Sequence, residues 1–341
     1  MDLDTLHKGR QTIVFDRHPV ILAHSAIAGK KESEGPLAGF FDHTETDTRF
    51  GQKTWEKAET RLQELALDTA RSKAQLQYSD LDVLFAGDLL NQCISSAFAI
   101  RDTRIPFLGL YGACSTMAES LTLAAAAVNA GYAARAAALT SSHFATAERQ
   151  YRFPLGYGGQ RTPTAQWTVT GSGCCIVGAE GSGPFINCAT IGRIEDYGIK
   201  DANNMGAAMA PAAYSTLRAH FADTGLRPQD YDLIVTGDLG TLGSTIVTDL
   251  FQRDGVEFGA NYRDCGVLIY DLKRQDVHAG GSGCGCGASV LCGYLLRQLR
   301  EKKINSLLFC ATGALMSPVS TWQGESIPAI CHAISISNER R

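Results

Sequence analysis

A ten-residue string occurs twice in this chain, and that repeat limits the fold more than any other feature. Asp80-Leu-Asp-Val-Leu-Phe-Ala-Gly-Asp-Leu89 returns 150 residues later as Asp230-Tyr-Asp-Leu-Ile-Val-Thr-Gly-Asp-Leu239, with five of ten positions identical. A short apolar run closed by Gly-Asp reads as a buried strand ending in a turn. The same elements flank both copies. An amphipathic helix precedes each: 55–74, where Leu62, Leu65, Ala66, Thr69 and Ala70 share a face, and 211–224 with Leu217 and Phe221. A Gly/Cys turn entering a helix follows each, at 112–128 and 280–299, and then a strand, at 136–140 and Ser306–Ala311. Thr168–Val177 and Ile327–Ser335 read as strands closing the two units. Four elements in one order imply duplication of a βαβ unit. The expected architecture is α/β, two pseudo-symmetric halves (1–190 and 191–341) with mixed central sheets, and a site between them.

Composition narrows the class. Of 341 residues, 45% are hydrophobic and 19% charged, a globular mixture. The 35 glycines against 10 prolines suit tight turns in close-packed layers. Net charge is -4 and no Lys/Arg block stands out, which argues against a nucleic-acid partner. Residues 1–8 carry two acids and no export core. Among the 11 cysteines, Cys174, Cys175, Cys188, Cys292, Cys310 and Cys331 sit in apolar settings and read as small buried hydrophobes in a reducing cytosol. The longest apolar stretch, around Leu121 to Leu139, is broken by Asn129, Gly131 and Arg135, so no transmembrane segment is expected.

Cys114 is the side chain of greatest chemical interest. It follows the apolar run at Phe107 and opens a helix, where unpaired amides and the helix end favour a thiolate. The plain alternative is a small residue packed at a crowded turn. His143, closing the next strand, is the nearest candidate base, or else a satisfied loop histidine. Asp88 and Asp238 are matched by the repeat and could line a pocket or accept turn amides; Asn91 follows the first. The 144–166 segment reads as a loop. Its Arg149, Arg152 and Arg161 could clamp a carboxylate and Tyr151, Phe153 and Tyr157 could stack on a ring, or the whole could be a subunit interface. Gly280 opens a glycine-rich turn that could cradle an anion, with helix–sheet packing as the better reading. The lone Cys284-x-Cys286 lacks a second ligand pair, so neither a metal nor a cofactor is expected.

These residues resemble the stage V sporulation protein AD family. The matching strings include Ala86-Gly-Asp-Leu-Leu-Asn-Gln92, Gly112-Ala-Cys-Ser-Thr116, Thr140-Ser-Ser-His143, Met209-Ala-Pro-Ala212, Gly280-Gly-Ser-Gly-Cys284 and Ala311-Thr-Gly-Ala-Leu315, spread over nearly the whole chain. The resemblance implies a thiolase-like fold and a homodimer. It implies a protein that binds dipicolinic acid, alone or as its calcium complex, in uptake into the developing spore and release in germination. It further implies partnership with the membrane subunits of the stage V sporulation protein A channel. The setting implied is the cytoplasm or forespore, peripheral to the spore inner membrane. Asp88, Asn91, Cys114, His143, Arg149, Arg152, Arg161, Asp238 and Gly280 are the candidate ligand contacts. In thiolases and ketoacyl synthases the nucleophilic cysteine maps onto Cys114. Their second-half histidine falls near Asp238 to Leu242 and their last catalytic His or Asn near Gly280, where this chain has neither. The expectation is therefore a binding protein rather than an enzyme. The alternative is an acyl-transferring or condensing enzyme using Cys114, with His143 as base.

Overall fold

The computed structural model describes residues 6–151 and 160–340. Both copies of the repeat become strands, Val83–Gly87 and Leu233–Thr236. Their shared aspartates close the same turns. Asp80 and Asp230 accept the amides of Gln77 and Arg227 at 2.7 and 2.8 Å, holding one helical turn ahead of each strand. Asp82 takes the amides of Ala134 and Arg135, and Asp232 those of Asn305 and Ser306. Each bond satisfies backbone donors at the start of a neighbouring strand, where no ladder partner exists.

The strand Val83–Gly87 lies between Phe107–Gly109 and Arg135–Ser142, parallel to both. Leu233–Thr236 lies between Tyr262–Asp264 and Ser306–Ala314, again parallel to both. Beyond Arg135–Ser142 run the antiparallel strands Gly171–Gly178 and Val20–Ala28. Beyond Ser306–Ala314 run Ala329–Ser337 and Phe185–Thr190, also antiparallel. Val20 opposite Phe185 is the one register pair joining these two groups of five among the described residues.

Helices cover both groups and fill the space between them. Trp55–Lys73 starts at Thr54, whose side chain caps the Lys57 amide, and lays Leu62, Ala66 and Ala70 over Leu84, Leu139 and Ile176. Met205–Thr224 covers the other group with Met209, Ala213 and Leu217. Thr116–Asn129 and the run from Cys284 to Arg300 lie in one core with Cys175 and Val177 from one group and Phe309 and Ile334 from the other. That second run is α-helical at Cys284–Ser289, widens to a π-helix at Val290–Leu295, and tightens again. Two expectations need correction. The 211–224 helix begins at Met205 and carries Pro211 inside. The first part of the 144–166 loop is a helix, Phe144–Tyr151, and residues 152–159 lie outside the described residues. All eleven cysteines are buried free thiols. Among the described residues no helix is long and apolar enough to cross a membrane.

Candidate functional site

The turn before Thr116–Asn129 is tight and strained. Ala113 adopts φ +50°, a conformation that costs a residue with a Cβ about 1 kcal/mol. Two hydroxyls hold it there: Ser115 Oγ donates to the Gly112 carbonyl and Thr116 Oγ1 to the Ala113 carbonyl, both at 2.7 Å. Strand Ser306–Ala314 passes so close that a Cβ at Gly313 would press on the Gly112 carbonyl and lie 3.3 Å from the Cys114 amide nitrogen. Only glycine fits that crossing. Cys114 is thereby presented at the start of a 14-residue helix, beside a cavity.

Asp238 comes to Cys114 from the other group of strands. Its carboxylate lies close enough to the thiol for each to shift the other's titration. The same carboxylate accepts the Gly283 amide at 2.9 Å and Thr312 Oγ1 at 2.9 Å. Burial is the main reason its pKa rises to about 6; these donors pull the other way. Burial also pushes the Cys114 thiol well above its ordinary range, and the charge of Asp238 adds to that. The resting pair is therefore a neutral thiol against a largely ionised carboxylate at neutral pH. The cavity beside Cys114 measures about 40 Å³, with Glu148, Thr168, Ser282 and Tyr111 in its wall. That is room for about three waters. Tyr151 closes one side: its hydroxyl donates to the Leu89 carbonyl at 2.8 Å and meets Tyr111 Oη at 2.5 Å.

Of the nine expected contacts, Cys114 lines this cavity and Asp238 lies beside Cys114, outside the lining. The others require correction. Asp88 is spent on Leu90 N, Ser96 N and Ser96 Oγ, all within eight residues of itself. His143 is no base for Cys114. Its Nε2 bonds the Thr48 carbonyl at 2.8 Å, its Nδ1 accepts the Ala145 amide, and burial lowers its pKa, so the ring stays neutral. Arg149 pairs with Glu56, and with Asn91 it lines a separate outer groove. Arg161 pairs with Asp276 and lies over Trp167. Gly280 provides backbone room only: at φ +118° a Cβ there would meet the Gly266 carbonyl at 2.6 Å. Arg152, Phe153 and Tyr157 lie outside the described residues. Sequence reasoning missed Glu148, Tyr111, Ser282 and Thr312. Ser282 and Thr312 had a faint signal, one inside the glycine turn and one at the end of an expected strand.

A layered α/β fold of two five-strand groups around paired central helices, with a cysteine elbow facing across, defines a thiolase-like protein. Solved structures agree on the fold. That of 3-oxoacyl-[acyl-carrier-protein] synthase III from Aquifex aeolicus aligns with 94% of this chain and 99% of its own, at 12% identity and a TM-score of 0.57. Cerulenin-bound OleA from Xanthomonas campestris aligns over 95% and 97%, at 13% identity and a TM-score of 0.61. The chain belongs to the stage V sporulation protein AD family, which it matches over residues 9–337. It is 47% identical over 327 residues to Stage V sporulation protein AD of Bacillus subtilis (strain 168), covering 96% of both chains.

Two expectations are overturned. The reading of the chain as no enzyme fails against its structural neighbours, which are acyl-condensing enzymes, and against the buried cysteine retained at the elbow. The expectation of a transport role at the spore inner membrane is not met: among the described residues no helix is long and apolar enough to cross a membrane.

Proposed function

We propose that Cys114 accepts an acyl group from a small acyl thioester, with Asp238 taking the thiol proton. The placement of the Asp238 carboxylate beside the buried Cys114 thiol, close enough for its charge to raise the thiol's pKa, carries the reading. As sulfur attacks the thioester carbonyl, the S–H bond breaks and its proton passes to the Asp238 carboxylate. The donor thiolate then leaves and recovers that proton. A thiol pKa far above neutrality rules out a standing thiolate, so proton transfer accompanies bond formation. The helix N-terminus behind Cys114 favours the negative charge that develops. A 40 Å³ cavity favours short acyl chains. No histidine lines it among the described residues, so the reading covers acyl acceptance and not carbon–carbon bond formation. Intact-mass measurement after exposure to acetyl and octanoyl thioesters tests it. One acetyl adduct is expected, absent from Cys114→Ser and slowed in Asp238→Asn. No adduct from any short donor sinks the reading.

The two groups of five strands, we infer, descend from one duplicated unit, with residues 1–190 and 191–341 as halves. The repeated string, its matching turn aspartates and its matching strand neighbours support this. Cys114 then comes from one half and Asp238, Ser282 and Thr312 from the other.

A further inference from the structure

Two of the buried thiols touch. The Sγ atoms of Cys175 and Cys292 lie 3.5 Å apart, and both residues are fully buried. Among the described residues theirs is the one hydrogen bond between two thiols. The fold aims them at each other. Cys175 stands in the middle of Gly171–Gly178, paired with His24 on one side and Ala138 on the other. Side chains alternate along that strand. Cys174 and Ile176 pack in the cluster under the Trp55–Lys73 helix, while Cys175 and Val177 face the central helices. Cys292 enters the same core from the π-helix Val290–Leu295.

His24 holds the second thiol in place. The Cys292 carbonyl accepts from His24 Nδ1 at 2.5 Å, which puts the ring proton on that nitrogen. Burial lowers the His24 pKa to about 4, so the ring is neutral. His24 and Cys175 are direct register partners, and such partners share a face of the sheet. Cys292 is therefore pinned over the row in which Cys175 stands. The two sulfurs differ in their surroundings. Arg300 Nη2 donates to the Ile21 and Leu22 carbonyls at 3.1 and 2.7 Å, and its charge is felt at Cys175. A fixed cation favours a thiolate there. Burial pushes the Cys292 thiol well above its ordinary range, which makes it the poorer first attacker.

We propose that Cys175 and Cys292 form a peroxide-reactive dithiol, a modification site separate from the acyl chemistry at Cys114. Cys175 attacks one oxygen of hydrogen peroxide as the thiolate. The O–O bond breaks, the sulfur becomes a sulfenic acid, and the departing hydroxide takes up the proton that Cys175 gave up. The Cys292 thiol then attacks that sulfur. An S–S bond forms, the S–O bond breaks, and the hydroxyl leaves with the Cys292 proton as water. Two thiols lose two electrons and one peroxide becomes two waters. The sulfurs have to close by about 1.5 Å. The π-helical turn, looser than an α-helix, lies where that movement is needed. Peroxide is little larger than water and reaches the pair through local opening, which bulkier thiol reagents do not. The bridge ties residues 117 apart and fixes the central helix to the strand.

Peroxide treatment of the folded full chain at neutral pH tests the proposal. Remaining thiols are blocked with iodoacetamide in urea, and peptides are mapped without reduction. A linked Cys175–Cys292 peptide is expected, with loss of two hydrogens in intact mass, reversal by dithiothreitol and a raised urea midpoint. Cys292→Ala should stop at a Cys175 sulfenic acid, captured as its dimedone adduct. Arg300→Gln keeps both thiols and should slow linkage about threefold or more. No linked peptide from folded wild type overturns the proposal. So does a link that forms only after unfolding in urea. Linkage at the wild-type rate in Arg300→Gln overturns the choice of Cys175 as the attacking sulfur.

Discussion

Asp88 and Asp238 hold the same place in the repeated string and are equally buried, at 0% and 1% exposure, yet they do different things. Asp88 bonds only to its own neighbourhood, Leu90 and Ser96, and so clasps the segment leading into the helix Ile94–Ile100. Asp238 bonds two distant segments, at Gly283 and Thr312, and sits beside a third at Cys114. A third acid explains the difference. In the second group a helix, Gly240–Arg253, starts at once, and Asp264 takes the turn amides of Leu239 and Gly240, both at 2.9 Å. With those amides served, Asp238 is left to take the Gly283 amide and Thr312 Oγ1 beside Cys114. One repeated turn thus becomes a structural clasp on one side and part of the site on the other, according to whether another carboxylate serves the backbone.

The largest effect expected from this contrast is on Asp88→Ala. It strands two buried amides and a hydroxyl and should cost about 3 kcal/mol in urea unfolding. Asp238→Ala should cost less, because Thr312 loses an acceptor but only one amide, that of Gly283, is stranded. Equal losses would break the comparison. Gly313→Ala comes next. Its Cβ would press on the Gly112 carbonyl beneath the elbow. About 2 kcal/mol of overpacking is expected, together with a changed rate of Cys114 alkylation. An unchanged rate would show that the elbow does not depend on that crossing.

The repeat made the strand groups legible because turn aspartates and apolar runs act locally. Helix ends were less so: Pro211 argues for a start near itself, but packing against the sheet carries the helix back to Met205. Within the site, Cys114 was marked by its turn and Asp238 by the repeat. His143 and Arg149 were misplaced because their partners, Thr48 and Glu56, lie 95 and 93 residues away in sequence, and no spacing reveals such pairings. Glu148 carried no signal, being one acid in a helix that read as loop.

Asp238→Asn sharpens the comparison by removing charge while keeping shape. The folded pKa of Asp238, about 6, lies above its ordinary 3.8. Its contribution to stability is fully present below the unfolded value and is lost as pH rises through 6. The stability of the Asn variant relative to wild type should therefore improve between pH 4 and 7 and level off above, by about 2 kcal/mol. Since the Asp238 charge holds the Cys114 thiol up, alkylation of Cys114 in this variant should begin at lower pH. A flat difference across that range would mean that Asp238 does not titrate where its burial places it.

The smallest effect concerns the leucines that end the two strings. The Leu239 carbonyl accepts the Gly243 amide as its helix begins. No helix takes the Leu89 carbonyl; side chains of the Phe144–Tyr151 helix do, Tyr151 Oη at 2.8 Å and Gln150 Nε2 at 3.0 Å. Because no helix starts at Leu89, the helix bearing Tyr151 is drawn over the Cys114 cavity and closes it. Tyr151→Phe removes one of two donors to that carbonyl and leaves Tyr111, itself exposed, to bond water. A loss of about 0.5–1 kcal/mol is expected. The more telling readout is chain length. If the Tyr151 hydroxyl pins the cavity wall, the variant should accept longer acyl thioesters on Cys114 than wild type does, at little cost in stability. If acyl range and stability both stay put, Gln150 alone holds the carbonyl, and the wall is set by packing rather than by the hydrogen bond.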